Sequence, residues 1–198
     1  RYALVAGLAE EERIGVNPFR FGFGASTDDL SGRMGDVGEW TFAAGDGPES
    51  ARTNTSPGGL FAVYAEENTR DAIFDALRRR ETFGTSGPRV TPRFFGGWNL
   101  DPALCESSDP IGEADGSGVP MGGLLPTPAE ASVSGPSFRA TALRAPGTPD
   151  QPGGKLERIQ SVKGWVGEDG TYEQRIVDVA GAKSTGSELD LETCEPSG

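Results

Sequence analysis

Histidine is absent from all 198 residues, and cysteine occurs only twice, at Cys105 and Cys194. The first absence excludes a Ser-His-Asp triad, a Cys-His pair and any His-ligated zinc built from this chain alone. Proton transfer at neutral pH would therefore rest on carboxylates, Arg, Lys or hydroxyls. The second removes every metal-ligand cysteine spacing, because the two thiols stand 89 positions apart. A single long-range disulfide or two free thiols are the remaining alternatives. No apolar run approaches the roughly 20 residues needed to span a bilayer. The stretch after Arg1 is amphipathic rather than the charged start and apolar core of an export signal.

Basic charge is also scarce. Lys and Arg number 18 against 30 Asp and Glu, for a net charge of −12 and a pI near 4.5. That balance argues against a phosphate-backbone binder, so nucleic acid is not an expected partner. Residues 1–95 hold 11 basic and 14 acidic groups and residues 96–198 hold 7 and 16, which makes the acidity mainly a property of the second half. Its simplest reading is a set of solvated loops.

What is present is glycine and proline, 30 and 15 residues, spread among clear apolar segments. A loop-rich but folded chain is expected. Leu4, Val5, Leu8 and Ala9 fall at helical spacing before the stop signal of Gly15 and Asn17-Pro18. This helix opens without a cap, so Arg1 is expected to lie inside a longer protein. Phe19 to Ala25 alternates aromatic with small or polar residues, the period of a strand. Residues 31–59 read as a long loop. Leu60 to Ala65 reads as a buried strand, Glu66-Glu67 as its acidic end, Asn68 or Thr69 as an N-cap, and Ile73, Phe74, Ala76 and Leu77 as the apolar face of a helix ending near Arg80.

A turn at 82–90 then leads to an extended segment through Phe94 and Phe95. A boundary is placed near residue 96, giving regions 1–95 and 96–198. From Gly96 to about Pro136 the chain reads as loop, anchored by Trp98 and Val119-Pro120-Met121. Phe138 to Leu143 and Leu156 to Val166 alternate as strands. Gly167-Glu168-Asp169-Gly170 has hairpin-turn chemistry, and Gln174 to Val179 returns as the partner, so the second region is expected to be all-β.

Two acidic pairs, Asp28-Asp29 and Glu66-Glu67, each follow an apolar segment, where α/β architectures place functional groups. Sharing one rim, they could bind a divalent cation or act as general acid and base. The plainer alternative is that Asp28 and Glu67 cap neighbouring amides while Asp29 and Glu66 face water. Arg78-Arg79-Arg80 ends a helix, where cations oppose the negative end of the dipole. Arg89, beside the Thr85-Ser86-Gly87 turn, is a candidate contact for a phosphate or carboxylate. Trp98, Trp165, Phe94 and Phe95 read as core aromatics.

FGFGASTDDLSG at 21–32, the run GGLFAVYAEENTRDAIFDALRRRETFGTSGPRV at 58–90, RFFGGWNL at 93–100, GVPMGG at 118–123 and RIQSVKGWV at 158–166 occur in this order. Together they resemble the domain-of-unknown-function family numbered 3604, bacterial proteins related to the polymerase and histidinol phosphatase (PHP) metal-dependent phosphoesterases. The resemblance implies an α/β plus all-β chain: the C-terminal part of a PHP-like distorted (β/α)7 barrel over 1–95, then a β-rich, loop-rich extension over 96–198. It implies a metal-dependent hydrolase acting on a small anionic substrate, with divalent ions such as Zn, Mn or Fe activating water. The early strands and their His-x-His would belong to a missing N-terminal half or to another protein chain. The family pattern Gly-Ser-Thr-Asp-x-His places Asp28 on the metal, with Leu30 where an imidazole is expected and Asp29 as a substitute ligand. It puts Glu66 at the active rim and Arg89 near the substrate. Export of family members implies a periplasmic or secreted protein with Cys105 bonded to Cys194. The competing expectation is a non-catalytic structural or binding module with a degenerate metal site.

Overall fold

The computed structural model describes residues 2–26, 59–128, 135–150 and 152–181, with the backbone of 188–189 and 196–197. The chain divides into two units, Arg1–Arg20 with Lys155–Gly198, and Phe21–Gly154.

In the first unit, α1 (Ala3–Ile14) ends at Gly15, whose left-handed backbone (φ 76°) lets its N–H reach the Glu11 carbonyl at 2.9 Å. No side chain caps its start at Tyr2, as the sequence indicates. The helix buries Val5 and Gly7. Val5 packs where β6 (Arg158–Val166) carries Gly164: a methyl group there would come 2.6 Å from Val5 Cγ2. Tyr2 meets Tyr172 with ring centroids 6.4 Å apart.

β6 pairs antiparallel with β7 (Tyr172–Gly181), from Val166↔Tyr172 to Arg158↔Gly181, with one bulge between Ile159 and Gln160. The turn between them forms as its composition predicts. Asp169 accepts from the Thr171 amide at 3.1 Å and the Thr171 hydroxyl at 2.7 Å, and Gly170 takes the left-handed conformation that an L side chain disfavours. These bonds favour the ionised carboxylate and hold Asp169 below its usual pKa. β8 (Glu188–Leu189) pairs antiparallel with β9 (Pro196–Ser197).

In the second unit, β1 (Leu60–Val63) leads into α2 (Arg70–Arg79), which returns as β2 (Thr82–Thr85). Thr69 is the N-cap, its hydroxyl accepting from the Ala72 amide at 3.3 Å. The helix closes on Arg80 in a left-handed conformation (φ 62°), and Arg80 Nε donates to the Gly122 carbonyl at 2.9 Å, docking the GVPMGG loop on the helix end. β1 and β2 pair antiparallel, Leu60↔Thr85 through Val63↔Thr82. β1 is half-buried rather than buried, and Phe61 is exposed.

The strand expected over Phe19 to Ala25 is not formed. Residues 21–26 carry no ladder; they lie across one face of the β1–β2 pair. A methyl group at Gly84 would stand 2.7 Å from the Ala25 amide nitrogen, Gly24 sits against the Phe61 ring, and Thr82 Oγ1 donates to the Phe23 carbonyl at 2.8 Å. The alternation is used to pack on a face, since Gly84 leaves that face bare enough for backbone to approach.

β3 (Thr91–Gly97) is the middle strand of an antiparallel sheet, between β4 (Val119–Pro120) and β5 (Ser137–Leu143). The boundary expected near residue 96 falls inside β3. The stretch read as loop after Gly96 contains a 3₁₀ helix (Pro102–Glu106) and α3 (Pro110–Ser117). Each starts with an Asp N-cap followed by Pro: Asp101 accepts from the Ala103 amide at 2.8 Å and Asp109 from the Gly112 amide at 3.0 Å. These short elements close a core of Phe95, Leu100, Leu104 and Ala114, with Ile111 partly buried against it. Phe94 stacks on Phe138 with centroids 5.6 Å apart. Every strand pair among the described residues is antiparallel, and they form no closed barrel.

Candidate functional site

The β1–β2 pair carries the described candidate residues, and its register decides which of them meet. Val63 opposes Thr82, and the Tyr64 amide donates to the Glu81 carbonyl at 2.9 Å. Glu66 and Glu67 therefore leave the pair at its Val63–Thr82 end. At the opposite end Leu60 faces Thr85, and a methyl group at Gly59 would stand 2.7 Å from the Ser26 carbonyl oxygen and 3.2 Å from that of Thr85. Ser26 and the start of the Ser86–Arg89 segment thus share the end remote from Glu66. Asp28, Asp29 and Leu30 lie outside the described residues; of the residues expected at the shared rim, Glu66 and Glu67 are described.

At the acidic end, Glu67 Oε1 accepts from the Thr69 hydroxyl at 3.0 Å, extending the α2 cap by one link. Glu66 is exposed and contributes to the field on Arg79. Arg79 is bound to Glu81 at 2.7 Å, and its pKa is raised first by that hydrogen bond and then by the charges of Glu81, Asp75 and Glu66. Arg78 lies over the Phe74 ring, 5.9 Å from its centroid. This helix end is a neutralised, solvent-screened cluster in which individual pairs carry little stability. Arg89 is exposed just beyond the Ser86–Pro88 turn.

One further group stands at the Val63–Thr82 end. Tyr64, immediately after β1, donates its hydroxyl to the Pro92 carbonyl, and the Arg93 guanidinium lies 3.4 Å from its ring centroid. Phe83 approaches from β2 with ring centroids 5.2 Å apart. Burial raises the Tyr64 pKa, while the Arg93 charge opposes that rise. The signal for it was the placement of Tyr at a strand end and Arg93 beside Phe94-Phe95, which marks polar groups at the rim of an apolar layer.

Among the described residues no group of three or more His, Cys, Asp or Glu is positioned to hold a metal ion. Glu66 is exposed and Glu67 accepts from the Thr69 hydroxyl, and the described residues bring no third such donor to them.

The family model described as "Protein of unknown function (DUF3604)" matches residues 1–198. The chain belongs to this family. All five sequence blocks singled out above lie within the DUF3604 match, including the FGFGASTDD segment whose described part packs over β1 and β2. No curated protein and no solved structure gives a match. Among the described residues no helix is long and apolar enough to cross a membrane. Cys105 is exposed, and Cys194 lies outside the described residues.

Proposed function

We propose that this DUF3604 chain is the C-terminal portion of a PHP-like metal-dependent hydrolase acting on a phosphate or related ester. The observation that carries this reading is the delivery of Ser26 to the Gly59–Thr85 end of the β1–β2 pair. Asp28 follows Ser26 by two peptide units, a reach of about 7 Å. Thr85 leads into the Ser86–Arg89 segment. In this reading Asp28, supplemented by Asp29, supplies a carboxylate ligand and Arg89 an anion contact. Glu66, at the other end, contributes to the field on Arg79 in this reading. In this reading the remaining ligands come from the early strands and their His-x-His. Periplasmic or secreted placement, with Cys105 joined to Cys194, is part of the same proposal.

A second reading is favoured by one observation, Leu30 at the position of the expected imidazole in a chain without histidine. It makes the chain a non-catalytic binding module. The two are separated by measuring bound metal and phosphoesterase turnover in the protein carrying this chain with the early strands, as wild type and as Asp28→Ala. The hydrolase reading expects metal loss and a fall in turnover of at least ~100-fold, the scale on which displaced ligands and nucleophiles act. Unchanged metal content and rate would remove Asp28 from the site. Metal-free protein with the same melting temperature in chelator would establish the binding module.

A further inference from the structure

The β6–β7 hairpin carries α1 against Gly164 and Tyr172, yet β7 is exposed at every residue. One edge of β7 pairs with β6, and its other edge has no partner strand among the described residues. Such an edge is a template for another strand. The bond from the Gly167 N–H to the Thr171 carbonyl sets the phase of the ladder. Thr171, Glu173 and Arg175 turn their backbone groups to β6, while Tyr172, Gln174 and Ile176 turn theirs outward. The outward backbone groups are thus flanked by an acid and a base, at 173 and 175.

A charge imbalance on the same strands points to the occupant. Arg175 opposes Lys163 directly in the register, and like charges in that position repel. Among the described residues neither has an ion pair; Lys163 lies instead over Trp165, 5.3 Å from the ring centroid. A carboxylate brought to the free side of Arg175 would relieve this pair.

We propose that two copies of this chain join along β7, antiparallel about a two-fold axis through Gln174. That register sets Glu173 against Arg175 of the second copy, and Arg175 against its Glu173. Tyr172 then opposes Ile176, and the outward N–H and C=O groups of Tyr172, Gln174 and Ile176 find partners. The product is a four-stranded sheet with β6 at both edges, closed as a two-fold dimer. Each Lys163–Arg175 pair gains an acidic neighbour.

The test is sedimentation equilibrium of the 198-residue chain from low to high micromolar concentration, as wild type, Glu173→Arg, Arg175→Glu and the double reversal. The wild type should form a dimer. Each single reversal puts two like-charge pairs at the junction and should weaken dimerisation roughly tenfold or more. The double reversal recreates the complementary pairs and should restore the dimer, which a general loss of folding would not do. A wild type that stays monomeric throughout, or a dimer indifferent to the single reversals, overturns the proposal.

Discussion

Replacing Gly84 by alanine probes the packing of residues 21–26 on the β1–β2 pair, the part of the FGFGASTDD segment that is described. The added methyl would stand 2.7 Å from the Ala25 amide nitrogen and 2.8 Å from both the Gly24 carbonyl carbon and Ala25 Cβ. Real methyl groups do not tolerate contacts this short, and two of the three are to backbone, which cannot swing aside as a flexible side chain would. Overpacking of this kind costs about 1–3 kcal/mol. If the segment lifts instead, the Thr82-to-Phe23 hydrogen bond is lost, at about 0.5–1.5 kcal/mol, along with the Gly24–Phe61 contact. Both routes converge on a destabilisation near 2 kcal/mol. Gly116 in α3 is the control, because no atom lies within 4 Å of its added methyl. There Gly→Ala should stabilise by roughly 0.5–1 kcal/mol. Urea unfolding followed by circular dichroism reads both signs, and hydrogen exchange at the 22–26 amides reports whether the segment has lifted. A Gly84→Ala protein as stable as wild type, with unchanged exchange, would refute this packing.

Phe95→Ala empties the centre of the small core, where Phe95 is 1% exposed, and should cost about 3–5 kcal/mol in thermal or urea unfolding. Tyr64 should titrate above its ordinary value near 10 in an ultraviolet pH titration. The folded state then holds this proton more tightly than the unfolded state, so its contribution is complete below the unfolded pKa and is lost as pH rises through the folded one. Stability should decline above about pH 10. Tyr64→Phe should flatten that alkaline decline and cost about 0.5–1.5 kcal/mol at neutral pH through the lost bond to Pro92; an unchanged alkaline slope would assign it to other groups.

Elements made by local chemistry were readable in the sequence. α1, α2 with its Thr69 cap, β5, and the β6–β7 hairpin with its Asp169-Gly170 turn each follow from periodicity and side-chain-to-backbone bonds a few residues long. α3 and the 3₁₀ helix were hidden by Gly, Pro and Ser, although Asp101-Pro102 and Asp109-Pro110 carry the cap signal. They persist because Leu104 and Ala114 are buried against Phe95 and Leu100, a contact that local composition does not express. For the candidate site, the sequence singled out Asp28, Asp29, Glu66 and Arg89 by type and position. Glu66 and Arg89 are described; Asp28 and Asp29 are not.

The amino-acid sequence alone determined the absence of imidazole chemistry, the acidic charge, and the helices and hairpin whose signals span one or two turns. Tertiary structure decided the direction of β1 relative to β2, and with it the separation of Glu66 from Ser26. A strand-helix-strand pattern has the same period whether its strands run parallel or antiparallel. Tertiary structure also turned an alternating aromatic segment from a paired strand into a cover over Gly84. Alternation states that one side is buried, but which surface buries it depends on the shape of residues some 60 positions away.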